Sequence, residues 1–169
     1  YMTDVLTPLT SAKSGASSPL DLIKTKKGDA YDFAVIFTAL LRAAGIPALP
    51  DSGILVGTDM TAKNHWWSEF YLSGFGWVPV DAALGAGLAY HGWQKDAEDF
   101  DAKKYYFGNL DAQHILFSRG WNEIKPSAPQ NRTVTRQHTF ALQSIWEEAS
   151  GKDIKYSSYW ADPVVTGVY

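Results

Sequence analysis

One stretch of this chain leaves little choice of structure. From Ala30 to Ala44 the apolar positions are Phe33, Ala34, Ile36, Phe37, Leu40, Leu41 and Ala44. Steps of three and four place them on one wide face of an α-helix. Asp29 precedes the run as a helix N-cap, and Asp32 adds a favourable charge in the first turn. Gly45 supplies the C-terminal stop, with Pro47 close behind. The pattern predicts a buried central helix, and the rest of the chain has to supply the layer it packs on.

That layer reads as strands. Ala48 to Thr58 carries Ile54-Leu55-Val56, and His65 to Leu72 (HWWSEFYL) is aromatic-rich. Gly74-Phe75-Gly76 marks a turn before Trp77-Val78-Pro79-Val80-Asp81, so the two last segments predict an antiparallel hairpin. Upstream, residues 1–7 read as the end of a helix, Thr10 to Ser18 as a polar loop, and Pro19 as the first position of a short helix. Downstream, Asp81 to Ala102 is a long Ala/Gly/Asp connection with a short helix expected near Ala97 to Lys103. His114 to Ser118 predicts a strand, Pro126 to Arg132 a loop, and Thr133 to Trp146 with Ile154 to Trp160 a last strand pair. Helices first and antiparallel strands after define an α+β class. The reading divides the chain into a core over 1–102 and a C-terminal β extension of the same domain over 103–169.

Composition removes several function classes. The formal net charge is −3 and no basic run is present, which excludes a nucleic-acid footprint. No apolar run reaches the ~18 residues of a membrane span. Cysteine is absent, so the chain as written has no disulfide framework, thiolate metal site or thiol nucleophile. His91, His114 and His138 show no ligand spacing, and neither a metal nor a cofactor is expected. The chain opens on Tyr1 rather than Met, which reads as a processed or trimmed piece. Asn131-Arg132-Thr133 matches a glycosylation sequon of the kind that arises by chance.

Three segments concentrate chemistry: Gly28-Asp29-Ala30-Tyr31-Asp32-Phe33-Ala34 at the helix start, His65-Trp66-Trp67-Ser68-Glu69-Phe70-Tyr71 on one strand, and Gly76-Trp77-Val78-Pro79-Val80-Asp81 on the next. The hairpin sets His65 and Asp81 on neighbouring strands, away from the turn. A carboxylate beside an imidazole fixes its tautomer and stabilises its protonated form. A helix N-terminus facing that pair adds N–H groups and a positive dipole end. Together these are what a thiol nucleophile needs.

In that order the three segments, with Phe37 to Ala48 (FTALLRAAGIPA), resemble the transglutaminase-like core of the papain-like cysteine peptidase and acyltransferase group. The likeness is strongest over residues 20–85, and Tyr106-Phe107-Gly108-Asn109-Leu110-Asp111 with the following strand is similar to an extension of some bacterial members. It implies a papain-like fold and acyl transfer from a peptide or side-chain amide. His65 would be the base and then the acid, and Asp81 its orienting partner. The family's nucleophilic cysteine falls on Ala30, whose methyl group cannot attack a carbonyl. Tyr31 beside it is a phenol with a pKa of about 10 and points elsewhere around the helix.

Two explanations follow. Either a native cysteine was replaced by Ala30, or a lineage lost the nucleophile and kept the cleft as a natural pseudoenzyme. The intact surrounding motif, with His65 and Asp81 retained, favours replacement. The rival is a peptide- or glycan-binding module with Trp66, Trp67, Trp77 and Trp93 lining its groove, although indoles so placed are more often core. A third reading is a structural or interaction domain of a larger envelope protein. A peptide or protein is the expected partner, and cell envelope or secretion is preferred to cytoplasm. Glu69, on the strand face of His65, Trp67 and Tyr71, is read as salt-bridged or solvated.

Overall fold

The computed structural model describes residues 1–10, 19–90, 99–120, 132–135, 146–149 and 163–167, with backbone alone for 132–135 and 146–149. In chain order the elements are β1 (Thr7–Pro8), α1 (Pro19–Thr25), β2 (Lys27–Gly28), α2 (Ala30–Ala43), β3 (Ala48–Val56), β4 (Ala62–Leu72) and β5 (Gly76–Val80). Then come α3 (Ala82–Gly85), α4 (Ala102–Tyr105), β6 (His114–Arg119), β7 (Arg132–Thr135) and β8 (Trp146–Ala149).

Helix α2 starts where its cap chemistry dictates. Asp29 accepts the Asp32 N–H at 3.0 Å, and the Asp32 carboxylate accepts the Asp29 N–H at 3.2 Å, closing a capping box. Gly28 makes room for it: a Cβ there would lie 2.8 Å from Asp32 Oδ2 and 2.9 Å from Leu22 Cδ1. The helix ends at Gly45, whose φ of +79° suits glycine.

Strands β5, β4, β3 and β6, in that spatial order, form one antiparallel sheet. Helix α2 lies against β4. Ser68 donates to the Ala34 carbonyl at 3.0 Å, and Thr38 donates to Ser68 at 3.2 Å. Phe33, Ala34, Ile36, Trp66, Val80 and Leu84 are among the core residues around this contact. Strand β3, flanked by β4 and β6, is buried along nearly its whole length. Its ladder with β6 shifts register between Ser52 and Gly53, and a Cβ on Gly53 would come within 1.9 Å of the Ile115 carbonyl oxygen. Only glycine lets the bulged backbone of β6 approach so closely.

The α+β class, the central helix on an antiparallel sheet and the 62–80 hairpin agree with the sequence. Strand β6 extends the main sheet, whereas β7 and β8 make a separate two-stranded sheet. Strand β7 pairs with β8 over 146–149, and the strand expected over 154–160 lies outside the described residues, with the 11–18 loop, His91, Trp93, Asn131 and His138. Residues 1–7 are not the end of a helix. A single turn closes with Val5 N–H on the Tyr1 carbonyl, and the chain then extends to pair with β2. The apolar stripe of α2 is also only partly buried: the buried positions all lie between Ala30 and Thr38, whereas Leu40 is 45% exposed and Ala44 is exposed. The short helix expected near 97–103 forms at 102–105, and α3 was not foreseen.

Candidate active site

Strand β4 is buried on both faces from His65 to Ser68, and its alternation sorts the aromatic run. Trp66 and Ser68 turn toward α2, while His65 and Trp67 turn to the other face. His65 is fully buried, and its Nε2 lies 2.5 Å from Asp81 Oδ2. Asp81 is itself buried, at the end of β5, with its backbone N–H on the Tyr106 carbonyl at 3.0 Å. Its other oxygen, Oδ1, accepts the Leu84 N–H at 2.8 Å and caps α3. One carboxylate thus both partners His65 and caps α3.

Because an ionised carboxylate only accepts, His65 Nε2 carries a proton toward Asp81. The Tyr90 hydroxyl lies 3.3 Å from His65 Nδ1, with its ring edge-on to the imidazole. Burial and the charges of Asp81 and Asp29 push the Tyr90 phenol well above its usual range. The phenol thus feels both the dyad and the N-cap of α2. Ala30, buried at the first position of α2, belongs to the same apolar cluster as Trp66, Ala82, Ala83 and Leu84. The capping box uses the amides of Asp29 and Asp32, and the Ala30 amide takes no part in it. Burial and the neighbouring Asp29 raise the Asp32 carboxyl to about 6.

Residues 106–113 carry the chain from the outer edge of β5 to the start of β6 at the opposite edge, and they deliver a second imidazole. His114 Nε2 lies 3.2 Å from Asp81 Oδ2, and its Nδ1 lies 2.8 Å from Asp111 Oδ1. Trp67 stacks on His65 and meets His114 edge-on, at ring-centre distances of 6.3 and 5.3 Å. Burial lowers the basicity of His114, but the hydrogen bonds and charges of Asp111 and Asp81 outweigh it and raise its pKa to about 9. For Asp81, burial acts upward, yet His65 and His114 hold the carboxyl well below the usual range.

Residues 4–82 match the family model of the Transglutaminase-like superfamily. The chain contains a transglutaminase-like domain. It is 36% identical over 116 residues to an uncharacterized protein of Haemophilus influenzae, covering 54% of this chain and 31% of that protein. The chain therefore spans about a third of the length of that relative. A solved structure from Cytophaga hutchinsonii, described as a candidate cysteine protease, aligns over 95% of this chain and 45% of its own, at 19% identity and a TM-score of 0.42.

Within the transglutaminase-like domain, the fold brings His65 and Asp81 together. Of the four tryptophans expected to line a groove, three lie among the described residues. Trp66 and Trp67 are buried because β4 is covered on both faces, and Trp93 lies outside the described residues. Trp77 is 39% exposed, packed between Tyr71 and the Arg119 guanidinium. Glu69 is ion-paired, accepting from Arg119 Nε at 2.7 Å.

His114, Asp111 and Tyr90 escaped sequence reasoning. His114 lies 33 positions from Asp81, and no local spacing announces their contact. Among the described residues, His65, Asp81 and His114 offer ligand atoms within 4.8 Å of one another, a donor set of a kind zinc accepts. With metal bonds of about 2.0–2.1 Å, tetrahedral ligand atoms stand roughly 3.3 Å apart, so the 2.5 Å contact between His65 and Asp81 has the spacing of a hydrogen bond. No helix among the described residues is long and apolar enough to cross a membrane.

Proposed function

We propose that this domain is a thiol acyl-transfer unit acting on peptide or side-chain amides, by hydrolysis or transfer to an amine, written here without its nucleophile. Ala30 stands where the family's cysteine belongs, which makes the chain an inactive Cys-to-Ala form. The observation that carries this reading is the buried His65–Asp81 pair, with Nε2 of the imidazole on the carboxylate and Nδ1 facing the Tyr90 hydroxyl.

The chemistry follows from those groups. A thiol at position 30 would pass its proton to His65 Nδ1, and Asp81 would stabilise the imidazolium that forms. The helix dipole favours the thiolate. After attack, the Ala30 amide would hold the oxyanion, and His65 would return the proton to the leaving amine. Water or an amine then releases the acyl group.

The rival, a natural pseudoenzyme that binds peptide or glycan, draws less support, because two of its proposed indoles are buried. A cell-envelope or secreted setting remains part of the proposal.

The test is Ala30→Cys, with the rate of thiol alkylation followed against pH. We expect thiolate to form well below the free value of about 8.5, and to move back toward it when His65→Ala is added. An ordinary thiol, insensitive to His65, overturns the acyl-transfer reading.

A further inference from the structure

Asp81 accepts from two imidazoles, and the second has no part in the dyad. Its partners fix its protonation. His114 Nδ1 faces Asp111 Oδ1 at 2.8 Å and Nε2 faces Asp81 Oδ2 at 3.2 Å. Asp111 is an acceptor throughout, taking the Tyr106 hydroxyl at 3.2 Å and the Gln113 N–H at 3.3 Å as well. Ionised carboxylates donate nothing, so both His114 nitrogens must carry protons. His65 differs: one nitrogen faces Asp81, and the other faces a hydroxyl that can donate.

We propose that His114 is a positioning residue for the dyad: an imidazolium held between Asp111 and Asp81 that fixes the Asp81 carboxylate for His65. The role in catalysis rests on the acyl-transfer reading, whereas the protonation does not. Three hydrogen bonds, from His65, His114 and Leu84, leave the Asp81 side chain no freedom to turn away. The cation also offsets part of the Asp81 charge. The groups facing His114 are His65 from β4, Asp81 at the head of α3, and Asp111 and Tyr106 from the crossing segment, with Tyr90 behind His65. The raised pKa of His114, about 9, agrees with that geometry.

Nitrogen-detected histidine NMR on the chain as it stands is the first test. We expect both His114 ring nitrogens to be protonated at pH 7, with loss of one proton only as the pH nears 9. A neutral His114 at pH 7 overturns the proposal whatever the nucleophile does. The second test adds His114→Gln to Ala30→Cys. Glutamine keeps a donor and loses the charge, so the midpoint of thiolate formation should rise by about one unit, about tenfold in rate below the midpoint. A profile that responds to His65→Ala and not to His114→Gln overturns the positioning role and leaves the acyl-transfer reading standing. A thiol that is ordinary in Ala30→Cys overturns both.

Discussion

His65 and Asp81 are joined through one carboxylate oxygen, at 2.5 Å, while the other oxygen of Asp81 caps α3 through Leu84. Removing the carboxylate should therefore disturb fold and dyad together, and the two effects should be separable. Asp81→Ala leaves His65 and His114 buried without their shared acceptor and should cost about 3–5 kcal/mol in urea unfolding at pH 7. Asp81→Asn keeps an oxygen for Leu84 and should cost about half as much, yet should disturb the dyad as fully. The pH dependence has a definite sign. Asp81 is held below its unfolded value near 3.8, so its stabilisation is present above that pH and is lost as the pH falls further. The difference between the chain and Asp81→Ala should shrink toward pH 3. Equal losses for the two variants at pH 7 would contradict the division of labour between the oxygens.

Tyr90 occupies the nitrogen that a nucleophile would use. Its hydroxyl lies 3.3 Å from His65 Nδ1, so a thiol at position 30 competes with it for the lone pair. A hydrogen bond of this kind is worth about 1 kcal/mol net. Tyr90→Phe in the Ala30→Cys background should then speed alkylation at neutral pH about fivefold, while His65→Ala abolishes the gain. If Tyr90→Phe slows the reaction instead, the phenol assists the base rather than occupying it.

The parts legible in the sequence are those fixed by short-range geometry. Asp29 and Asp32 are three apart, as a capping box requires, and Gly28 and Gly45 mark where the backbone needs them. The hairpin register follows from its turn, and it brings β4 and β5 together so that His65 meets Asp81 across 16 positions. What the sequence hid depends on long-range pairing. His114 reaches Asp81 only because β6 pairs with β3 on the far side of the sheet. Trp66 and Trp67 turn to opposite faces of β4, and both are buried, as core indoles are. The stripe on α2 is continuous in sequence, but its burial ends at Thr38, and Leu40 is exposed. Residues 1–7 have the composition of a helix end and too few partners within the segment to propagate past one turn.

Asp51 gives the clearest dependence of stability on pH. It is fully buried on β3, and neither carboxylate oxygen has a hydrogen-bond partner. Burial and the nearby Glu69 charge raise its pKa to about 8, against a smaller opposing pull from Arg119. The carboxyl is thus mostly protonated at neutral pH. A carboxyl raised in the folded state favours folding fully below its unfolded value near 3.8, and that contribution declines as pH rises through about 8. Asparagine has nearly the same shape and never ionises. Asp51→Asn should match the chain near pH 4, gain steadily above it, and be more stable by about 2 kcal/mol at pH 8.5, where the buried charge is finally forced on the parent. Urea midpoints at pH 4, 6 and 8.5 measure this directly. Parallel curves for the two proteins would mean that Asp51 ionises freely in the folded state, and that its orphaned oxygens are reached by water.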